Sequence, residues 1–255
     1  MSPRFAANLS MMFIEWKFED RFAAARDAGF EGVEFFPTDG LSGGQLSRLL
    51  QQNELELVLA NMPLRAGSKG FAALPDAEAA FKVDFDIALE LALACDAPLL
   101  HVTAGLVSAA DRVVASDTFK RNIDWAMTRA GGKVAIVIEA INQTAAPGYF
   151  IHSLYDARRW TREIPGLRLI MDVYHAAMEG LDVIAAINST LPEAAHVQLA
   201  GWPGRHEPDV GQLPFEAILQ NIEAFGYQGW VGCEYVPQDH TLDGLGWIKR
   251  GTSLQ

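Results

Sequence analysis

The strongest constraint on this chain is an alternation. Eight short apolar runs are separated by stretches with helical periodicity, and the pattern continues along all 255 residues. The runs are "RFAANLS" (4–10), "GVEFF" (32–36), "LELVLAN" (55–61), "PLLHVTA" (98–104), "VAIVIEA" (134–140), "LRLIMDV" (167–173), "AHVQLAG" (195–201) and "WVGCEYV" (230–236). Near-continuous apolar runs of this length are what parallel strands look like when both faces are covered. Parallel neighbours need a helical crossover, almost always right-handed. Eight such units predict an α/β fold with a single (β/α)8 TIM barrel domain over residues 1–255. An open doubly wound sheet is the competitor, but no G-x-G-x-x-G follows the first strand. Among the helical stretches, "EDRFAAARDAG" stops at Gly29 and "LPFEAILQNIEAFG" at Gly226, while "DAEAAFKVDFDIALELALACDA" is the longest. The Gly/Pro-containing connection 62–76 is long enough to be expected as a lid.

Charge and composition narrow the function. The formal net charge is -12, and no Lys/Arg cluster is visible, which argues against nucleic acid and for a small-molecule partner. Cys95 and Cys233 lie in apolar surroundings without C-x-x-C spacing, so neither a disulfide framework nor a thiolate zinc site is expected. No apolar run reaches membrane-span length, and charges come too early for a secretory signal. The expectation is a soluble, cytoplasmic protein with no membrane partner. Trp16, Trp202, Trp230 and Trp247 suit either a core or a homo-oligomer contact, and the core is the better reading for each.

In a (β/α)8 barrel, chemistry gathers where the strands end. Strand 5 ends with Glu139, strand 6 with Asp172 and strand 8 with Glu234, and strand 7 carries Gln198. Each is an oxygen-bearing side chain in an apolar run, costly to bury unpaired. Taken singly, Gln198 reads as hydrogen-bonded to a neighbouring loop, and Glu34, at the end of strand 2, as structural. Taken together, three carboxylates and an amide at one rim call for a cation between them. Hard oxygen donors of this kind suit Mg²⁺ or Mn²⁺ better than Zn²⁺ or Cu²⁺.

The segments "VIEAIN", "MDVYH", "HVQLAGWPGRHEPDVG" and "GYQGWVGCEYVP" together resemble the hydroxypyruvate isomerase family, within the xylose-isomerase-like barrels. "RFAANLSMMF" and "TLDGLGW" extend the resemblance to nearly the whole chain. It implies a divalent metal, Mg²⁺ or Mn²⁺, held by Glu139, Asp172, Gln198 and Glu234, with Glu139 and Glu234 as the catalytic pair that exchanges the substrate proton. The reaction it implies interconverts hydroxypyruvate and tartronate semialdehyde through an enediolate. The alternatives are isomerisation of 2-oxo-tetronate and a related sugar epimerisation. Departures fall on the loops. Thr144 and Ala145 replace a charged pair, Ala177 stands at a usual glutamine, Lys69 at a common arginine and Gln212 at a usual glutamate. The metal set is therefore retained where the substrate loops are altered.

Five further residues are candidate substrate contacts. Arg205 offers a bidentate fork for a substrate carboxylate, or a salt bridge with Glu207 or Asp209. His206, in the same turn, would lie beside it over the substrate. His175, three residues beyond Asp172, fits the family pattern. His101 ends strand 4 at the same rim, and Lys69 belongs to the loop 62–76. His152, His196 and His240 carry no signal in this reading.

Overall fold

A computed structural model describes residues 3–37 and 40–248. Eight strands close in chain order into one parallel barrel. They are β1 (Arg4–Asn8), β2 (Gly32–Phe35), β3 (Glu56–Asn61), β4 (Leu99–His101), β5 (Ala135–Glu139), β6 (Arg168–Asp172), β7 (Ala194–Leu199) and β8 (Trp230–Cys233). The fold is the (β/α)8 TIM barrel that the alternation predicts. Every expected strand is present, and most stop short of the apolar run that announced them. β4 ends at His101: the Val102 amide still donates to the Val137 carbonyl of β5, and from Thr103 onward the backbone carbonyls accept from the loop residues Ala72 and Ala73 instead.

The packing gathers into two compact units. One comprises Met1–Phe35, Ser47–Val58 and Met171–Gln255. It includes the helix Arg21–Asp27, which stops before Gly29, and the helix Phe215–Ala224, which stops before Gly226, both as expected. Between β6 and β7 lie two short helices, Val173–Met178 and Val183–Thr190. Phe18, Phe22 and Phe35 pack edge to face, and Trp247 is fully buried against Phe5, Phe215 and Tyr235. Trp230 is buried too, whereas Trp16 and Trp202 are half-buried, so the core expectation holds for two of the four tryptophans.

The register in this unit leaves space inside the strands. Ala6 pairs with Gly32 on one side and with Gly232 on the other, and Gly232 pairs with Gln198. Three of those four residues have little or no side chain. Longer groups two residues further along can therefore reach inward.

The other unit comprises Phe36–Leu46 and Leu59–Ile170. It holds the long helices Glu78–Ala94 and Arg112–Ala130 and the helix Leu154–Glu163. Phe119, Phe150 and Trp160 form its inner aromatic cluster. The connection 62–76 is not a free flap. Gly70 forms an antiparallel bridge with Ala104, and the Ala73 amide donates to the Ala104 carbonyl at 2.8 Å. Asn122 donates to the Ala72 carbonyl at 2.9 Å, and Arg65 makes a forked ion pair with the buried Asp84. The tip, around Leu64–Gly67 and Lys69, is exposed, as is Asp76 at the far end. No helix among the described residues is long and apolar enough to cross a membrane.

Candidate active site

Asp172 closes β6 and starts the next helix. It is the N-cap, and its Oδ1 accepts the His175 backbone amide at 3.0 Å. An aspartate three residues before the bonded amide is a strong helix start. Capping uses one oxygen. The other, Oδ2, lies 3.9 Å from His175 Nε2 and 3.5 Å from Arg205 Nη2.

Arg205 reaches this point from the turn after β7. Its backbone takes the left-handed conformation, φ 56°, and bonds to both sides of the turn. The Arg205 amide donates to the Gly201 carbonyl, and the Arg205 carbonyl accepts the Val236 amide, each at 2.9 Å. Arg205 Nη2 is 3.0 Å from Glu234 Oε2, and the guanidinium lies over the Tyr174 ring. These ion pairs run to the strand-end carboxylates. Glu207 turns elsewhere, accepting the Gln238 amide at 3.2 Å. His206 anchors the turn, with Nδ1 donating to the Val236 carbonyl at 2.8 Å.

Gln198 does not bond to a loop. Its Nε2 donates to Glu34 Oε1 at 2.9 Å, and its Oε1 is buried with no hydrogen-bond partner among the described residues. Glu34, fully buried, also accepts from Asn8 Nδ2 at 3.2 Å and faces His196 Nε2 at 2.8 Å. His196 therefore belongs to the buried network that holds Gln198, and the sequence alone does not single it out. β7 has a period of two, so His196 and Gln198 share a face.

In the other unit, Glu139 is the last residue of β5 and His101 of β4. His101 Nδ1 lies 3.0 Å from Asn61 Oδ1, and its Nε2 lies 3.8 Å from Glu139 Oε2. Lys69 stands on the exposed loop tip.

The electrostatics follow from burial. Burial pushes the Glu234 carboxyl up to about 8; Arg205 pulls it down, while the charges of Glu34 and Asp172 add to the upward push. Burial pushes His175 below the ordinary histidine value, against the pull of Asp172 and helped by Arg205. A neutral imidazole keeps a lone pair available at working pH.

Asp172 and His175 in one unit, and Glu139 in the other, are buried side chains whose atoms are of metal-ligating type. The bare Oε1 of Gln198 adds an oxygen donor whose burial is otherwise uncompensated.

A fold of eight parallel strands with acids at the strand ends defines a class, the xylose isomerase-like TIM barrels, and the model of that family matches residues 22–251. Among relatives, a 2-oxo-tetronate isomerase from Cupriavidus necator is 40% identical, covering 97% of this chain and 98% of its own. The hydroxypyruvate isomerase of Escherichia coli is 33% identical over 96% of this chain and 98% of its own. A crystal structure described as AP endonuclease, family 2 from Brucella melitensis superposes with a TM-score of 0.93 at 38% identity, covering 97% of this chain and 98% of that one. The chain belongs to the hydroxypyruvate isomerase family of xylose isomerase-like TIM barrels, and it is an isomerase of the aldose–ketose type.

Proposed function

We propose that the chain moves a carbonyl group between C2 and C3 of a small hydroxy-keto acid, with hydroxypyruvate and tartronate semialdehyde as the first pair and 2-oxo-tetronate as the second. The two substrates share a 2-oxo-3-hydroxy carboxylate and differ in one CH2OH substituent on C3. One observation carries the reading. The family's strand-end acids are all present in the sequence, and Arg205, a carboxylate-binding side chain, lies 3.0 Å from Glu234 and 3.5 Å from Asp172.

In this reading Glu139, Asp172, Gln198 and Glu234 hold a divalent cation, Mg²⁺ or Mn²⁺. When bound, it supplies a Lewis acid that eases loss of a proton next to the carbonyl. Glu139 and Glu234 do the proton work. One carboxylate takes the C3 proton, the resulting enediolate is reprotonated at C2, and the carbonyl and hydroxyl exchange places. Acid–base help of this kind is worth about 10²–10⁴-fold in rate. Arg205 orients the substrate carboxylate, His175 and His101 orient its oxygens, and Lys69 covers it from the loop tip.

The test is a keto-acid panel followed by proton NMR in D₂O. The expected result is interconversion with solvent deuterium at the reacting carbon, abolished by Glu139→Gln and by Glu234→Gln, because an amide cannot accept the proton. Failure to turn over any 2-oxo-3-hydroxy acid with Mg²⁺ or Mn²⁺ overturns the reading.

A further inference from the structure

Gln198 poses a geometric problem. An amide has two ends of similar shape, and only the carbonyl end can ligate a cation. A freely turning amide presents the wrong end half the time. Glu34 removes the choice. A carboxylate accepts hydrogen bonds and donates none, so the amide end 2.9 Å from Glu34 Oε1 is the NH2 end. The carbonyl end then points away from Glu34, which is where the buried Oε1 without a partner is found.

Glu34 is itself fixed. Asn8 Nδ2 donates to the same oxygen that takes Gln198, at 3.2 Å, and His196 Nε2 approaches the other oxygen at 2.8 Å. Gly232, between β1 and β7, leaves the passage open. A methyl there would stand 2.6 Å from Glu34 Oε2 and 2.8 Å from His196 Nε2. A buried acid spanning from β2 to β7, held at both oxygens, is a costly arrangement with no core-filling purpose.

We infer that Glu34 is a positioning residue, which holds the Gln198 carbonyl oxygen toward the cation with Asn8 and His196 as its own supports. The inference rests on the metal reading above. Partners of this outer kind set ligand orientation, and losing one costs about 10–100-fold in metal affinity.

The experiment is calorimetric titration of the cation-free full chain with Mn²⁺, alongside kcat and KM. Glu34→Leu removes the acceptor and should weaken Mn²⁺ by about 10–100-fold. Two conservative variants decide the matter even if Glu34→Leu does not fold. Glu34→Gln loses the charge but keeps a carbonyl oxygen at the same reach, with its NH2 turned to His196; its affinity should stay close to wild type. Glu34→Asp keeps the charge but withdraws the acceptor by one methylene; it should bind Mn²⁺ weakly, with kcat falling more than KM rises. The opposite order, Gln weak and Asp normal, would mean that charge and not orientation matters, and overturns the inference. So does wild-type affinity in Glu34→Asp. If the wild-type protein itself takes up no Mn²⁺, the metal reading falls and this inference with it.

Discussion

At the scale of single residues, Gln198 separates ligand from core. Its carbonyl oxygen is buried with no hydrogen-bond partner among the described residues, while its amide nitrogen is held by Glu34. Gln198→Leu suits an apolar strand, and it strands only half of one acceptor, since Asn8 still donates to Glu34 Oε1. The fold should survive at a cost of about 1–3 kcal/mol. Mn²⁺ binding should fall further than the roughly 10–100-fold typical of outer partners. Gln198→His should keep a cation and shift preference toward Zn²⁺ or Co²⁺, because imidazole is a softer donor. Metal analysis beside a turnover assay checks both. A Gln198→Leu protein with wild-type metal content and rate would make Gln198 an ordinary core amide. Polar residues in apolar runs are what made Glu139, Asp172, Gln198 and Glu234 legible from sequence. Glu34 was seen but set aside as structural, and His196 was passed over. Each was weighed alone, while their meaning lies in a contact between strands 162 residues apart in sequence.

At the scale of elements, the apolar runs located every strand, because parallel strands buried on both faces leave little room for other patterns. Strand ends were less legible. The ladder stops where backbone groups turn to the site loops, and that choice is made by tertiary partners. The connection 62–76 shows this. Its length suggested a lid, yet 70–73 is laced to the residues after β4. Gly70 sits at φ 94°, and an added Cβ would overlap the Thr103 carbonyl oxygen. Gly70→Ala should therefore destabilise the protein by about 1–3 kcal/mol, through a disfavoured backbone and a backbone clash together. Urea denaturation measures it, and hydrogen exchange should localise the loss to the loop and the strand end it covers. Unchanged stability would show that the loop docks more loosely than its bonds indicate.

At the scale of the whole molecule, the chain carries a net charge of -12 and still buries Glu34, Asp172 and Glu234 at strand ends. That concentration of acid makes folding depend on pH and on cations together. Glu234 has its proton affinity raised in the fold from 4.5 to about 8, chiefly by burial. Below about pH 4.5 the group is protonated whether folded or unfolded, and its contribution to stability is fully present. As pH rises toward about 8, the unfolded chain releases the proton and the folded chain holds it, so stability is lost across this window. Cation-free wild type should thus lose more melting temperature between about pH 5 and 8 than Glu234→Gln, which has no proton to hold there. Mn²⁺ acts in the opposite sense. It binds the ionised carboxylates of the folded state, so the stabilisation it gives should grow over the same window. Thermal melts of both proteins, with chelator and with Mn²⁺, read the two slopes directly. Parallel chelator curves for wild type and Glu234→Gln would show that Glu234 ionises normally, and that Arg205 alone offsets its burial.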